Sequence, residues 1–203
     1  MDESKQRRAL VLASASPRRR EILGQLGVEF RVVPSGIDEQ LLPGETPDEH
    51  AQRLAREKAR EVQQRSREDV TRPIILAADT IVLVEGEVLG KPRDDADAVR
   101  MLQLLSNRTH RVLTALAACE VAGPFQYARL VVTEVKFRLL DERMARAYVA
   151  SGEGRDKAGS YAIQGLGAGL VREIAGSYTN VVGMPAAETL DLLQRAGVLA
   201  TWP

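Results

Sequence analysis

PIILAADTIVLVEGEVLGKP, running from Pro73 to Pro92, sets one carboxylate, Asp79, inside a run of strand-forming residues. An ionised carboxylate in apolar surroundings is costly unless a cation or hydrogen-bond donors offset it, so Asp79 calls for a partner. Val84-Glu85-Gly86-Glu87 reads as a turn between two apolar arms, and it sends the chain back so that Lys91 falls near the same end. An acid and a lysine so placed suit metal-bound phosphate. The plainer reading has Asp79 ending a strand and capping a turn through Thr80, and this segment alone does not choose between them.

Upstream, Ala9 to Ala13 reads as a short buried strand and Ser14-Ala15-Ser16-Pro17 as a strand-to-helix connection. Ser16 is the expected N-cap, Pro17 suits the first helical position, and Gly27 closes the helix after Ile22, Leu23 and Leu26. Arg18, Arg19 and Arg20 all fall in the first turn, where the helix dipole disfavours positive charge and the free amides attract anions. A phosphate held by the Ser14–Ser16 loop and one or two arginines would account for them, as against three solvated arginines. Glu29 to Pro34 reads as a second strand, and Thr46-Pro47-Asp48-Glu49 starts a helix that runs towards Val62. Its mixed-charge run Arg56, Glu57, Lys58 and Arg60 has the pattern of an exposed face.

Downstream, Asp94 to Asp97 opens a helix with Ala98, Val99, Met101, Leu102 and Leu105 facing inward. His110 to Val121 and Gln126 to Leu139 read as long strands joined by a hairpin at Ala122-Gly123-Pro124-Phe125. A helix from Asp141 to Ser151 follows, then a glycine-punctuated loop from Gly152 to Gly169, a strand from Leu170 to Ile174, a polar connection from Ser177 to Gly183, and a closing helix from Pro185 to Arg195. Strands alternating with helices in this order imply an α/β fold built on a mixed sheet.

Composition narrows the function classes. The 203 residues, 44% of them hydrophobic, suffice for one sizeable domain, and 28 basic against 28 acidic residues leave no bulk charge to attract nucleic acid or a membrane. With 4% aromatic residues there are few platforms on which bases could stack. The lone Cys119 excludes an internal disulfide and reads as a small core residue. The start of the chain, MDESKQRRALVLASASPRRR, superficially resembles a secretion signal, but its apolar part is too short and arginines follow at once, so a soluble intracellular protein is expected. No Walker loop or GxSxG elbow is present. His50 and His110 stand outside any metal-ligand spacing. What remains is phosphate chemistry: cations at a helix start, acids for a hard metal, and lysines in loops.

The segments LASASPRR (Leu12 to Arg19), REKAR (Arg56 to Arg60), AADTIV (Ala77 to Val82), GKPRD (Gly90 to Asp94), SNRTHRV (Ser106 to Val112), DKAGSYAIQG (Asp156 to Gly165) and GSYTNVVGMPAAETLDLL (Gly176 to Leu193) resemble, in this order, the Maf family of nucleoside triphosphate pyrophosphatases. DKAGSYAIQG is similar to the branch acting on dTTP and UTP rather than to the branch acting on 7-methyl-GTP. The resemblance implies one Maf-like domain over residues 1–203, and an inosine triphosphatase-like α/β fold with a mixed twisted sheet, flanking helices and two lobes around a cleft. It also implies a cytoplasmic housecleaning hydrolase that uses Mg²⁺ or Mn²⁺ to release nucleoside monophosphate and pyrophosphate, with no nucleic-acid or membrane partner and with a homodimer as the assembly.

Position by position, the resemblance makes Asp79 the proton acceptor or a metal-binding acid. Ser14, Arg18 and Arg19 would hold the triphosphate, Glu39 would bind metal, and Lys58 and Lys91 would neutralise charge. Arg18, Thr80 and Gln164 match positions associated with substrate choice. The Gln164 amide donates and accepts together, which suits the O4 and N3–H edge shared by thymine and uracil. Gly90 and Gly154 stand where relatives often carry larger residues. Two alternatives stay open: a nucleotide-binding regulator of cell division without turnover, and a pyrophosphatase whose base is 7-methyl-GTP or a modified pyrimidine nucleotide.

Overall fold

The expected arms and turn around Asp79 form as a β-hairpin. Ile74–Val84 is a strand of 11 residues, buried along most of its length, and Glu87–Leu89 folds back on it antiparallel with Val84 opposite Glu87 and Val82 opposite Leu89. Glu85 and Gly86 between them have φ of 49° and 85°, the two positive values that a tight two-residue turn demands and that glycine supplies without strain. The computed structural model describes residues 8–123 and 125–203, and the side chains of all of these except Phe125 and Gln126. The secretion-signal reading of the first residues and the Pro124 part of the hairpin therefore lie outside the described residues.

In chain order the elements are β1 (Leu10–Leu12), α1 (Pro17–Gln25), β2 (Arg31–Val32), α2 (Pro47–Arg65), β3 (Ile74–Val84), β4 (Glu87–Leu89), α3 (Asp95–Leu105), β5 (Thr109–Glu120), β6 (Phe125–Phe137), α4 (Glu142–Ala150), β7 (Val171–Ala175), α5 (Tyr178–Val182) and α6 (Ala186–Arg195). The strands pair in the order β2-β1-β3-β5-β6-β7, with β4 on β3. β1 runs parallel to β2 and β3, and β7 antiparallel to β6, so the sheet is mixed as the alternation of elements implies. The described residues form two compact units: those within 1–79, 115–130 and 183–203 make the first, and those within 80–114 and 131–182 the second. β3, β5 and β6 each run from one unit into the other.

In the first unit Leu12, Leu23, Leu54, Ile74, Ile75 and Leu76 are almost wholly buried, each contributing roughly 1.5–3 kcal/mol by leaving water. Cys119 belongs to this core, and burial pushes its thiol up to about 12, so it is an inert packing residue as its apolar surroundings implied. In the second unit His110, Phe137 and Tyr161 meet edge to face, and the His110 Nε2 lies 2.8 Å from the Tyr161 hydroxyl. Burial lowers His110 to about 4, which keeps the imidazole neutral and structural.

Helix starts follow the sequence closely. Ser16 accepts from the Arg19 amide and Pro17 opens α1; Thr46 and Glu49 close a reciprocal capping box on α2; Asp94 and Asp141 cap α3 and α4. Three differences from expectation have a physical reason. β2 is a pair of residues because its one partner, β1, is itself three residues long. α2 continues three residues past Val62, since Gln63, Gln64 and Arg65 are all good helix formers. Within the expected polar connection, Tyr178–Val182 is helical: the Ser177 hydroxyl receives the Asn180 amide at 3.2 Å, and the buried Asn180 side chain donates to Val112 O and Thr133 Oγ1. Its threonine and valines carry low helix propensity, so tertiary hydrogen bonds decide the conformation.

Candidate active site

Within the first unit the partner that Asp79 requires comes from α2. Lys58 Nζ donates to Asp79 Oδ1 at 2.6 Å and lies 2.7 Å from Glu39 Oε1, so one ammonium bridges two carboxylates. The Asp79 and Lys58 side chains are 7% and 10% exposed, which makes this a buried, charge-assisted pair, whereas the Glu39 side chain is 46% exposed. The mixed-charge run on α2 is therefore not a uniformly solvated face, because Lys58 turns inward beside Ala55, Ala59 and Val62. Asp79 Oδ2 is buried with no hydrogen-bond partner among the described residues. A carboxylate anchored through one oxygen and open at the other is arranged to accept a proton or to ligate a hard cation.

The arginine-loaded start of α1 lies in the same unit. Ser14 is buried, its hydroxyl receives the Ser16 amide at 3.2 Å, and Arg19 Nη1 donates to it at 3.1 Å. Arg19 Nε donates to the Gly183 carbonyl at 2.8 Å, which fixes the guanidinium. Burial and the neighbouring Arg18 lower the Arg19 pKa, while the charges of Asp79 and Glu39 oppose that fall, so the arginine and both acids share one electrostatic environment. Arg18 is partly exposed and Arg20 exposed, so the three first-turn arginines have unequal surroundings.

Sequence reasoning missed the fastening of the loop that carries Glu39. Arg53 donates Nε to Glu45 Oε1 at 2.6 Å, Nη2 to Glu45 Oε2 at 2.9 Å, Nη1 to Glu57 Oε2 at 3.0 Å and Nη2 to the Gln40 carbonyl at 2.9 Å. The last bond holds the residue next to Glu39 against the helix that supplies Lys58. Arg53 lowers Glu45 from 4.5 to about 2, with the Leu42 amide and His50 adding to the effect against burial. The stabilisation from this group is complete above the ordinary carboxylate value near 4.5 and disappears only as pH falls towards 2. An arginine in a charged helical run gives no local sign of this role. The nearest signal is its four-residue spacing to Glu57, which predicts one of its contacts.

Thr80, Lys91 and Gln164 belong to the second unit. The Thr114 hydroxyl donates to the Asn180 carbonyl at 3.1 Å, so in the 2.9 Å Thr80–Thr114 contact Thr80 is the donor. Lys91 is exposed, two residues beyond the last residue of β4. Gln164 is half-buried and starts the short helical turn Gly165–Leu170. At Gly154 a Cβ would lie 2.1 Å from the Ser160 carbonyl oxygen, so a side chain would displace the loop, whereas Gly90 has open space around it.

A cation is tested by the donor set. Asp79 Oδ2 and the Glu39 carboxylate are hard oxygen donors of the kind Mg²⁺ and Mn²⁺ prefer, but the described residues contain no group of three or more His, Cys, Asp or Glu that could hold a metal. The residues thus fit a cation that brings most of its shell from phosphate and water. No helix among the described residues is long and apolar enough to cross a membrane.

Comparison with known proteins adds the lineage. The chain is 50% identical over 195 residues to a dTTP/UTP pyrophosphatase of Anaeromyxobacter dehalogenans, covering 95% of this chain and 96% of that one. It is 48% identical to the protein of the same name from Geotalea uraniireducens (94% and 96% covered) and 49% identical to that of Escherichia coli strain K12 (94% of each). Among solved structures, the Staphylococcus aureus Ham1 protein aligns over 66% of this chain and 72% of its own at 17% identity, with a TM-score of 0.41. The family described as Maf, Maf-like protein, matches residues 9–196, and with half-identical relatives along nearly the whole length the chain belongs to the Maf family.

Proposed function

We propose that this protein hydrolyses dTTP and UTP to the nucleoside monophosphate and pyrophosphate. The observation that carries the reading is the buried Lys58–Asp79 pair with its open Oδ2, in a chain whose half-identical relatives are named dTTP/UTP pyrophosphatases. In the proposed reaction a water oxygen bonds to the α-phosphorus, the bond from that phosphorus to the bridging oxygen breaks, and pyrophosphate leaves with the electron pair. Asp79 Oδ2 takes the proton of the attacking water, or holds metal, while Lys58 fixes Oδ1. Ser14, Arg18 and Arg19 hold the triphosphate, and Lys58 and Lys91 offset its charge. A divalent cation, Mg²⁺ or Mn²⁺, supplies positive charge at the phosphoryl oxygens when bound, with Asp79 and Glu39 as its protein ligands. Base choice falls to Arg18, Thr80 and Gln164. The whole chain acts as one nucleotide-processing domain, cytoplasmic and homodimeric, with no nucleic-acid partner.

The test is pyrophosphate release from dTTP, UTP, CTP, ATP and 7-methyl-GTP with Mg²⁺ or Mn²⁺ and a chelator control. Metal-dependent turnover of dTTP and UTP with monophosphate as co-product is expected. Preference for 7-methyl-GTP would move the protein to the other branch, and nucleotide binding without turnover would make it a regulator.

The Arg53 fastening gives a second expected outcome. Arg53→Ala should lower kcat/KM for dTTP by roughly 10- to 100-fold, the usual effect of removing a group that orients a ligating side chain. Arg53→Lys, which cannot reach Glu45 and Gln40 at once with a planar fork, should fall between the two. Steady-state kinetics with titrated metal checks this, and an unchanged metal requirement in Arg53→Ala would show that the loop holds Glu39 without it.

A further inference from the structure

In the second unit the segment containing Gln164 is held from both sides by one acid and one phenol. Glu153 Oε1 accepts from the Leu166 amide at 2.9 Å, and its Oε2 accepts from the Gly167 amide at 2.8 Å and from the Tyr148 hydroxyl at 2.7 Å. The Tyr148 oxygen in turn accepts from the Ala162 amide at 3.0 Å. Gln164 thus lies midway between a backbone amide held two residues before it and one held two residues after it. The neighbouring glycines make room for this arrangement. A Cβ on Gly165, whose φ is +64°, would lie 2.1 Å from Glu153 Oε1, and one on Gly167 would lie 1.9 Å from the Ala162 carbonyl oxygen and 2.8 Å from the Tyr148 hydroxyl. Lys157 Nζ donates to the Glu153 carbonyl at 2.5 Å, anchoring the other end of the same loop.

Burial alone would raise the Glu153 carboxyl. Donation from Tyr148, Gly167 and Leu166, with Lys157 nearby, outweighs burial and leaves the group below the ordinary carboxylate range. The acid is therefore ionised at neutral pH, a pure acceptor facing donors only. A carboxylate, a hydroxyl and three backbone amides satisfied together resist partial rearrangement, since breaking one bond leaves a desolvated group behind.

We propose that Glu153, through Tyr148 and the amides of residues 162, 166 and 167, is a positioning residue for base selection, holding the backbone around Gln164 in one conformation. This rests on Gln164 being the residue that reads the base edge. Glu153 touches no reacting atom, so its loss acts on recognition and not on bond cleavage.

The experiment measures kcat and KM for UTP and CTP in wild type, Glu153→Gln, Tyr148→Phe and Gln164→Ala, together with amide hydrogen exchange. Glu153→Gln keeps the shape but replaces one acceptor oxygen with a donor. It should lower the UTP-over-CTP ratio of kcat/KM by about tenfold, mainly through KM for UTP, and speed exchange at Leu166 and Gly167 while α4 stays protected. Tyr148→Phe should move both readouts the same way by a smaller factor, and it tests the proposal should Glu153→Gln not fold. A changed ratio in Gln164→Ala with an unchanged ratio in Glu153→Gln or Tyr148→Phe overturns the proposal. An unchanged ratio in Gln164→Ala overturns instead the reading on which it rests.

Discussion

Asp79→Asn is expected to lower kcat for dTTP and UTP by roughly a hundred- to ten-thousand-fold, the range lost when a positioned acid or base is removed. The substitution keeps the shape of the side chain. Its amide oxygen can still accept from Lys58 Nζ, which lies 2.6 Å from Oδ1, and Lys58 retains Glu39 at 2.7 Å, so the variant should fold. What disappears is the anionic Oδ2, the buried oxygen with no hydrogen-bond partner among the described residues. An amide nitrogen there can neither take a proton from water nor ligate a cation. Under the proposed roles Ser14, Arg18 and Arg19 would still hold the triphosphate, so nucleotide binding measured by calorimetry should persist and the loss should fall on turnover. Pyrophosphate release near the wild-type rate would remove Asp79 from the reaction.

How much of this was legible in the sequence can be seen residue by residue. Asp79 announced itself because a carboxylate within an apolar strand is costly, and the hairpin around it followed from turn residues whose dihedrals only a few side chains adopt. The α1 start was equally readable, since Ser16 and Pro17 are local signals and arginines at a helix start oppose the dipole. The charge pattern places Lys58 on the surface, because a helical charge run does not reveal which of its members turns inward; that depends on what the opposite face packs against. The polar stretch Ser177 to Gly183 gives no helical signal, because the helix Tyr178–Val182 is imposed by Asn180 reaching Val112 and Thr133, contacts 68 and 47 residues away in sequence. The Glu153 contacts and the Arg53–Gln40 contact leave no trace for the same reason. Glu153 serves amides 13 and 14 residues on, and Arg53 serves a carbonyl 13 residues back, and no periodicity records such distances. Local physics wrote the elements and the costly charge into the sequence, while the contacts of Arg53 and Glu153 are defined by closure of loops.

The ion pair at the site leads to the second large effect, which separates stability from chemistry. Lys58→Met removes the cation between Asp79 and Glu39 and leaves the Asp79 carboxylate, 7% exposed, without its ammonium. Breaking a buried pair by deleting one partner costs about 3–5 kcal/mol, because an uncompensated charge stays behind. For a domain of this size each kcal/mol moves the unfolding midpoint by about 2–4 °C, so Lys58→Met should melt roughly 6–20 °C below wild type. Asp79→Asn in the Lys58→Met background removes the stranded charge and should recover much of that loss, giving a favourable coupling in a double-mutant cycle. Turnover should not recover, because the double variant lacks both the acceptor oxygen and the charge that orients it. Thermal melts and pyrophosphate release on the same four proteins read the two effects independently. If Lys58→Met melts with wild type, the pair contributes nothing to the fold. If the double variant regains turnover, the pair supports the fold, and the proton acceptor must be sought among other residues of the first unit, with Glu39 next in line.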